Sequence, residues 1–328
     1  MKTKTVPVGL LAAAAVTATL GSAGFAAAAD QMSIAVVEKT LSNPFWVTMK
    51  NGAEYAGTEI GARVEVQAST AENAVEEQSI LLQTMFAQGF DCYVVSSITE
   101  TNLLQPLAAI SAAGKPIVNV AAKVDDAAAA AAGIHFATFI DSDNVKAGQL
   151  AAEEMSKLLG GTGKIAIVGG LPGDVANRNR ISGFEAGAGA LQIVQTVAAD
   201  WDREKALTAA TAILQANPDL GGFLASNDTM ALGILQAIEN AGRKDVRVIG
   251  IDGLEDAIKS VAAGGLTATV SQYPWAFGTL GVKACEAAIR GVELPDFVES
   301  PIAVITAANA EAALKAFPEP LEPIPTPF

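Results

Sequence analysis

The chain has 328 residues, 51% hydrophobic and 17% charged, which supplies apolar mass for two packed domains and argues against disorder. Acidic side chains outnumber basic ones 35 to 21, a net charge of −14 that disfavours nucleic acid and anionic membrane surfaces as partners. A single histidine, His135, excludes most histidine-based metal sites and leaves little room for a histidine-dependent triad. Aromatic residues are scarce, so the three tryptophans, Trp46, Trp201 and Trp275, are informative by position.

The chain begins with an address. Lys2 and Lys4 precede an apolar stretch over 6–20, and small residues follow up to Ala27, Ala28 and Ala29. This pattern predicts a signal peptide over 1–29, cleaved before Asp30, and hence an exported protein. The stretch is short for a membrane span and is broken by Pro7, Thr17 and Gly21. No cysteine precedes Cys92, so the cleavage point offers no lipid acceptor.

Strands and helices then alternate. Apolar runs of strand length lie at 33–37, 92–95, 116–120, 164–168, 194–198, 222–225, 247–251 and 267–270. Helix-period segments lie at 44–60, 74–87, 102–113, 147–159, 176–191, 204–216 and 229–241; in the first, Phe45, Met49, Ala53, Ala56 and Ile60 share one face. Alternation of this kind predicts an α/β fold of parallel sheets covered by helices on both faces. There are too many elements for one doubly wound domain of ordinary size, so two are expected, with the alanine run 127–132 as a surface spacer before the second half. Cys92 and Cys285 fit a bonded pair in an oxidising compartment and equally two buried thiols. Residues 317–328 hold five prolines and are expected to form an extended tail.

Ligands of open α/β sheets bind at the carboxyl ends of strands. The residues at those exits are Glu38 to Trp46, then Gly169 to Asp174 with Arg178 and Arg180, then Asp200-Trp201-Asp202, Asn227-Asp228, Asp252 and Gln272. Forked polar groups match hydroxyls, and flat aromatic faces cover C–H patches. Sugar recognition needs both.

These residues carry a family resemblance. The segments Thr-Leu-Ser-Asn-Pro-Phe-Trp (40–46), Asp-Ser-Asp-Asn (141–144), Arg-Asn-Arg-Ile-Ser-Gly-Phe (178–184), Ala-Asp-Trp-Asp (199–202), Ser-Asn-Asp-Thr-Met-Ala-Leu-Gly (226–233), Val-Ile-Gly-Ile-Asp-Gly (248–253) and Thr-Val-Ser-Gln-Tyr-Pro (269–274) occur in order. Over roughly 32–305 the chain resembles the periplasmic sugar-binding proteins of the ribose-binding type, the solute receptors of ABC importers. The resemblance implies two doubly wound parallel-sheet domains, 30–141 plus 273–301 and 142–272 plus 302–316, joined by a three-strand hinge. It implies Asn43, Phe45 and Trp46 as ligand contacts on the first domain, and Arg178, Trp201, Asn227, Asp252 and Gln272 as the remaining contacts. One departure stands out. Ribose-type receptors carry an Asp-Arg pair where this chain reads Ala121-Ala122, and the first loop here is one residue longer, with Glu38 and Lys39. This argues against simple ribose. Either Lys39 and Glu38 take over from the pair, or the ligand lacks a hydroxyl there.

The other signals are read plainly. Asp228 is expected to cap the following helix, leaving Asn227 for the ligand; Arg180 is expected to be a solvated helix residue, Trp275 a packing residue on the first domain, and His135 structural. Gly169-Gly170-Leu171-Pro172-Gly173 lacks the ending of a phosphate loop and reads as a tight turn. Asp141-Ser142-Asp143-Asn144 lacks the acidic residue of a calcium loop and reads as a hinge and helix cap. The expected function is capture of a monosaccharide or polyol and its delivery to the membrane permease of an ABC importer, without cofactor, metal, nucleic acid or catalysis. A sugar-sensing role for a chemoreceptor or sensor kinase is the alternative. An exported α/β enzyme using Glu38 and Asp252 as an acid–base pair is the remote one.

Overall fold

The run Ser-Ile-Ala-Val-Val-Glu-Lys-Thr is buried along its whole length, as a strand covered on both faces must be, and it forms β1 (Ser33–Thr40). In this computed structural model, residues 1–5, 31–324 and 327–328 are described, so most of the expected signal peptide lies outside the described residues. Residues 32–328 form one unit. In chain order, β1 is followed by α1 (Pro44–Ile60), β2 (Arg63–Ser69), α2 (Val75–Ala87), β3 (Cys92–Val95), α3 (Leu104–Ala112), β4 (Ile117–Val120), α4 (Asp126–Ala131) and β5 (Thr138–Asp141). Next come α5 (Asn144–Leu158), β6 (Gly163–Gly169), α6 (Val175–Gly187), β7 (Leu191–Ala198), α7 (Arg203–Ala216), β8 (Leu220–Ala225), α8 (Asp228–Asn240), β9 (Arg247–Asp252), α9 (Glu255–Ala262) and β10 (Ala268–Ser271). The last elements are α10 (Pro274–Ile289), β11 (Phe297–Glu299), β12 (Ala303–Thr306) and α11 (Ala310–Ala316).

The strands form two six-stranded sheets, ordered β11-β5-β4-β3-β1-β2 and β12-β10-β9-β8-β6-β7. Neighbours run parallel except β10 and β12. In each sheet the order reverses beside the first strand of that half, which opens a crevice at the carboxyl ends. The chain passes from one sheet to the other after β5, after β10 and after β11.

Several elements differ from the sequence expectation. The alanine run is no spacer between halves. It is α4, capped by Asp125, with Ala129 buried against the first sheet's outer layer, and β5 then joins that same sheet. The helix expected over 176–191 stops at Gly187 because Gly189 is left-handed and turns the chain into β7. β2 escaped notice because it is a half-exposed sheet edge with Arg63, Glu65 and Gln67 interleaved. The tail beyond 316 is not free: Phe317, Leu321, Ile324 and Phe328 pack against the core. Cys92 on β3 and Cys285 on α10 are bonded, with Cα atoms 5.7 Å apart. Trp275 packs on α1, with its ring 5.2 Å from that of Tyr55. His135 is exposed, and its backbone N–H donates to Ser111 Oγ.

Candidate functional site

The carboxyl ends of the two sheets face each other across a crevice, and side chains from both enclose two adjoining cavities. One, of about 40 Å³, is lined by Asn43, Phe45, Trp46 and Glu72 from one side and by Arg180, Trp201, Asn227 and Asp252 from the other. The second, of about 130 Å³, lies beside Ala121, Ala122, Phe139 and Asp141. Lys39 and Asp174 belong to the walls of both.

Asn43 caps α1, accepting from the Phe45 N–H, with Pro44 at the first helical position. This start brings Phe45 and Trp46, buried and edge-to-face at 4.9 Å between ring centres, to the cavity. Glu72, not anticipated from sequence, fixes both polar groups there: it accepts from Asn43 Nδ2 at 2.8 Å and from the Trp46 indole N–H at 3.2 Å. Its signal was weak, since it stands in an irregular loop with no periodicity to place it.

Opposite lies Trp201, held in left-handed backbone after Asp200, also left-handed. Its indole lies flat on Gly170, where a Cβ would run into the ring. Gly170 thus leaves room for an aromatic wall. Arg180 stands 5.7 Å from the centre of that ring.

Arg180 rather than Arg178 is the cleft arginine. Its side chain is 7% exposed, and the side chain of Arg178 is 57% exposed, at the outer rim with Glu100 at 4.0 Å. The expected contact at Arg178 and the expected solvation of Arg180 are both corrected. Two residues on a helix point about 200° apart, so one arginine of the pair must face out. Arg180 shares the inward stripe with Asn177, Gly183, Phe184 and Gly187, a spacing that could have identified it. Its guanidinium donates to Asn144 Oδ1 at 2.9 Å, to the Ser226 carbonyl, to Asp252 at 3.0 Å and to Gln272 Oε1. Burial pushes the Asp252 carboxyl up, and Arg180 pulls against it. Gln272 also donates to Asn144 Oδ1, so it ties two crossing segments together and stands behind the cavity wall.

The cap expected at Asp228 is corrected: it belongs to Asn227, which keeps its place at the cavity. Asn227 caps α8 through Met230 N–H and still lines the cavity. Asp228 accepts from Gly253 N–H, Leu254 N–H and Thr269 Oγ1, which fixes the turn that aims Asp252. Burial raises the Asp228 carboxyl to about 6.

Glu38 and Lys39 part company. Glu38 pairs with Ala68 and Thr40 with Ser69, so Lys39 is the extra residue of a β-bulge. The bulge turns Lys39 into the cleft, where its ammonium meets Asp174 at 2.8 Å. Burial alone would depress the Lys39 ammonium, but Asp174 and Glu72 outweigh it and raise it. Glu38 lines neither cavity. It is fully buried beside Lys50 and Glu54 of α1, and both carboxylate oxygens lack a hydrogen-bond partner among the described residues. The pairing of Glu38 with Asp252 that an enzyme would need is therefore not formed. Desolvation pushes Glu38 well above the usual carboxylate range. A carboxyl with a raised native pKa penalises folding increasingly as pH climbs above its unfolded value. Glu38→Leu is expected to stabilise the protein by about 1–3 kcal/mol at pH 8 and by less at pH 5, read from urea unfolding.

Of the residues that follow Ala121-Ala122, Lys123 lines the second cavity and Asp125 does not. Lys123 is bound to Asp126 at 2.6 Å, and Asp125 caps α4. Asp143 caps α5, and Asp141, pushed up to about 7 by burial, accepts from Ser142 N–H and Asn144.

Comparison with known proteins agrees with this geometry. Residues 34–293 match the family described as periplasmic binding protein domain. The D-allose-binding periplasmic protein of Escherichia coli is 37% identical over 80% of this chain and 85% of that one. The ribose import binding protein of Bacillus subtilis is 34% identical over 84% and 88%. Among solved structures, a periplasmic solute-binding protein of an ABC transporter from Actinobacillus succinogenes with bound D-allose superposes with a TM-score of 0.81, at 30% identity, over 86% of this chain and 99% of that one.

Proposed function

Since the chain belongs to the periplasmic binding protein domain family, we propose that it is an exported receptor that captures a monosaccharide or polyol in the crevice and delivers it to the permease of an ABC importer. The observation that carries this reading is the aromatic sandwich. Phe45 and Trp46 from one side and Trp201 from the other enclose a cavity whose remaining lining is Asn43, Glu72, Arg180, Asn227 and Asp252. A sugar ring presents C–H faces to such walls and hydroxyls to such a rim. Each half supplies part of the contact set, so a ligand binds the closed arrangement better than the open one and shifts the population toward it. The importer then recognises the closed surface. The three crossings after β5, β10 and β11 serve as the hinge between the two domains.

Export is supported by the pattern of the first 29 residues, by the periplasmic relatives and by the Cys92–Cys285 bond, which suits an oxidising compartment. No helix among the described residues is long and apolar enough to cross a membrane. The relatives are binding proteins, which fits a site that holds its ligand without transforming it.

The test is a thermal-shift screen of residues 30–328 against pentoses, hexoses and polyols. A true ligand at about 100 times its Kd adds roughly 2.7 kcal/mol and quenches or enhances tryptophan fluorescence. Trp201→Ala is expected to lose the shift while keeping the wild-type far-UV spectrum. A screen in which no neutral sugar or polyol moves the melting temperature would overturn the reading.

A further inference from the structure

The charges that wall the crevice are unevenly spent. Three cations line the two cavities, and each already faces a carboxylate: Lys39 with Asp174 at 2.8 Å, Arg180 with Asp252 at 3.0 Å, and Lys123 with Asp126 at 2.6 Å. The acids are in surplus. Glu72, Glu100 and Asp141 also line the cavities, and none of them meets a lining cation within salt-bridge distance. Among the described residues, an anionic ligand would find every lining cation already facing a carboxylate, with Glu72 and Glu100 adding like charge along the walls.

Within this arrangement the Lys39–Asp174 pair is singular. Both side chains are 7% exposed, and both residues belong to both cavities. Lys39 reaches the cleft through the bulge at the end of β1, and Asp174 stands at the start of α6, so the bond joins the two sheets' halves. Whatever ligand enters meets the pair. Lys39 is the lining cation whose position follows from a bulge in its strand.

We propose that Asp174 sets the charge class of the ligand: by cancelling Lys39 at the wall common to both cavities, it reserves the site for uncharged polyhydroxy compounds and turns away sugar acids. This rests on the sugar-receptor reading and names its substrate class. In the closed site Asp174 accepts from a ligand hydroxyl as well as from Lys39, and Lys39 spends its remaining N–H donors on ligand oxygens. With the carboxylate gone, the same ammonium becomes a free anchor for a carboxylate on the ligand.

The test separates charge from folding. Asp174 also caps α6 by accepting from Asn177 N–H at 2.9 Å, and asparagine caps as well as aspartate does, so Asp174→Asn removes the charge and keeps the cap. Calorimetric titration uses D-allose, D-ribose and myo-inositol as neutral probes and D-glucuronate, D-galacturonate and D-ribonate as acids. The wild type is expected to bind at least one neutral probe and none of the acids. Asp174→Asn is expected to lose at least tenfold in affinity for that neutral probe and to gain measurable, salt-sensitive binding of an acid. Adding Lys39→Met is expected to abolish the gain. Acid binding by the wild type, or no gained acid binding in Asp174→Asn, overturns the inference while leaving the sugar receptor standing. Where none of the three neutral probes binds, the neutral ligand found in the thermal-shift screen takes their place, and silence from that whole screen overturns both.

Discussion

Replacing Arg180 by methionine is expected to abolish ligand binding and to cost about 3–5 kcal/mol of stability, the range for removing one partner of a buried ion pair. The reason lies in how fully the guanidinium is used. It ties Asn144 beside the first crossing, the Ser226 carbonyl after β8, Asp252 at the end of β9 and Gln272 after β10. Its loss leaves several buried acceptors unsatisfied at once and drives Asp252 to take up a proton. The control is two residues away. Arg178→Met is expected to change stability by no more than about 0.5 kcal/mol, as befits an exposed rim residue. Urea unfolding and titration with the ligand found in the screen measure both variants. Equal effects at the two positions would contradict the geometry.

Opening the Cys92–Cys285 bond is the second large effect. The two cysteines are 193 residues apart in sequence, and a loop of that size restrains the unfolded chain by about 5 kcal/mol in the chain-entropy account, with measured bonds typically worth 2–4. The double variant Cys92→Ala/Cys285→Ala, or wild type under a thiol reductant, is expected to unfold at correspondingly lower urea. Ligand affinity is expected to hold, because Cys92 starts β3 at the end of the sheet away from the crevice, and neither cysteine lines a cavity. A large fall in affinity would show that the bond reaches the site.

Chain order and hydrophobic period made most of the architecture legible. The buried strands β1, β3 and β4 are built around apolar stretches, Ile34–Val37 in the first, so there sequence and environment say the same thing. Where an element is an edge, a short crossing or a helix rich in glycine and alanine, that agreement fails. β2 is polar because one side meets solvent, and α10 reads as neither surface nor core because almost all of it is buried. At the site, Phe45, Trp46, Trp201 and Asp252 were legible because a strand exit, a proline or an isolated aromatic marks them. Glu72 was invisible for want of any such mark.

What the sequence determined alone was the alternation of elements, the strand exits that face the crevice, and the scarcity of aromatics that makes each tryptophan count. Local chemistry suffices for these, since period and turn residues act over a few positions. What the tertiary structure decided was direction. One arginine of two points inward, Asn227 rather than Asp228 caps, Cys92 and Cys285 meet, and a one-residue bulge sends Lys39 into the cleft and Glu38 into the packing against α1. In a strand, a shift of one residue carries a side chain to the opposite face, and in a helix two residues nearly reverse it. Which face is the inside is settled by contacts made from far along the chain.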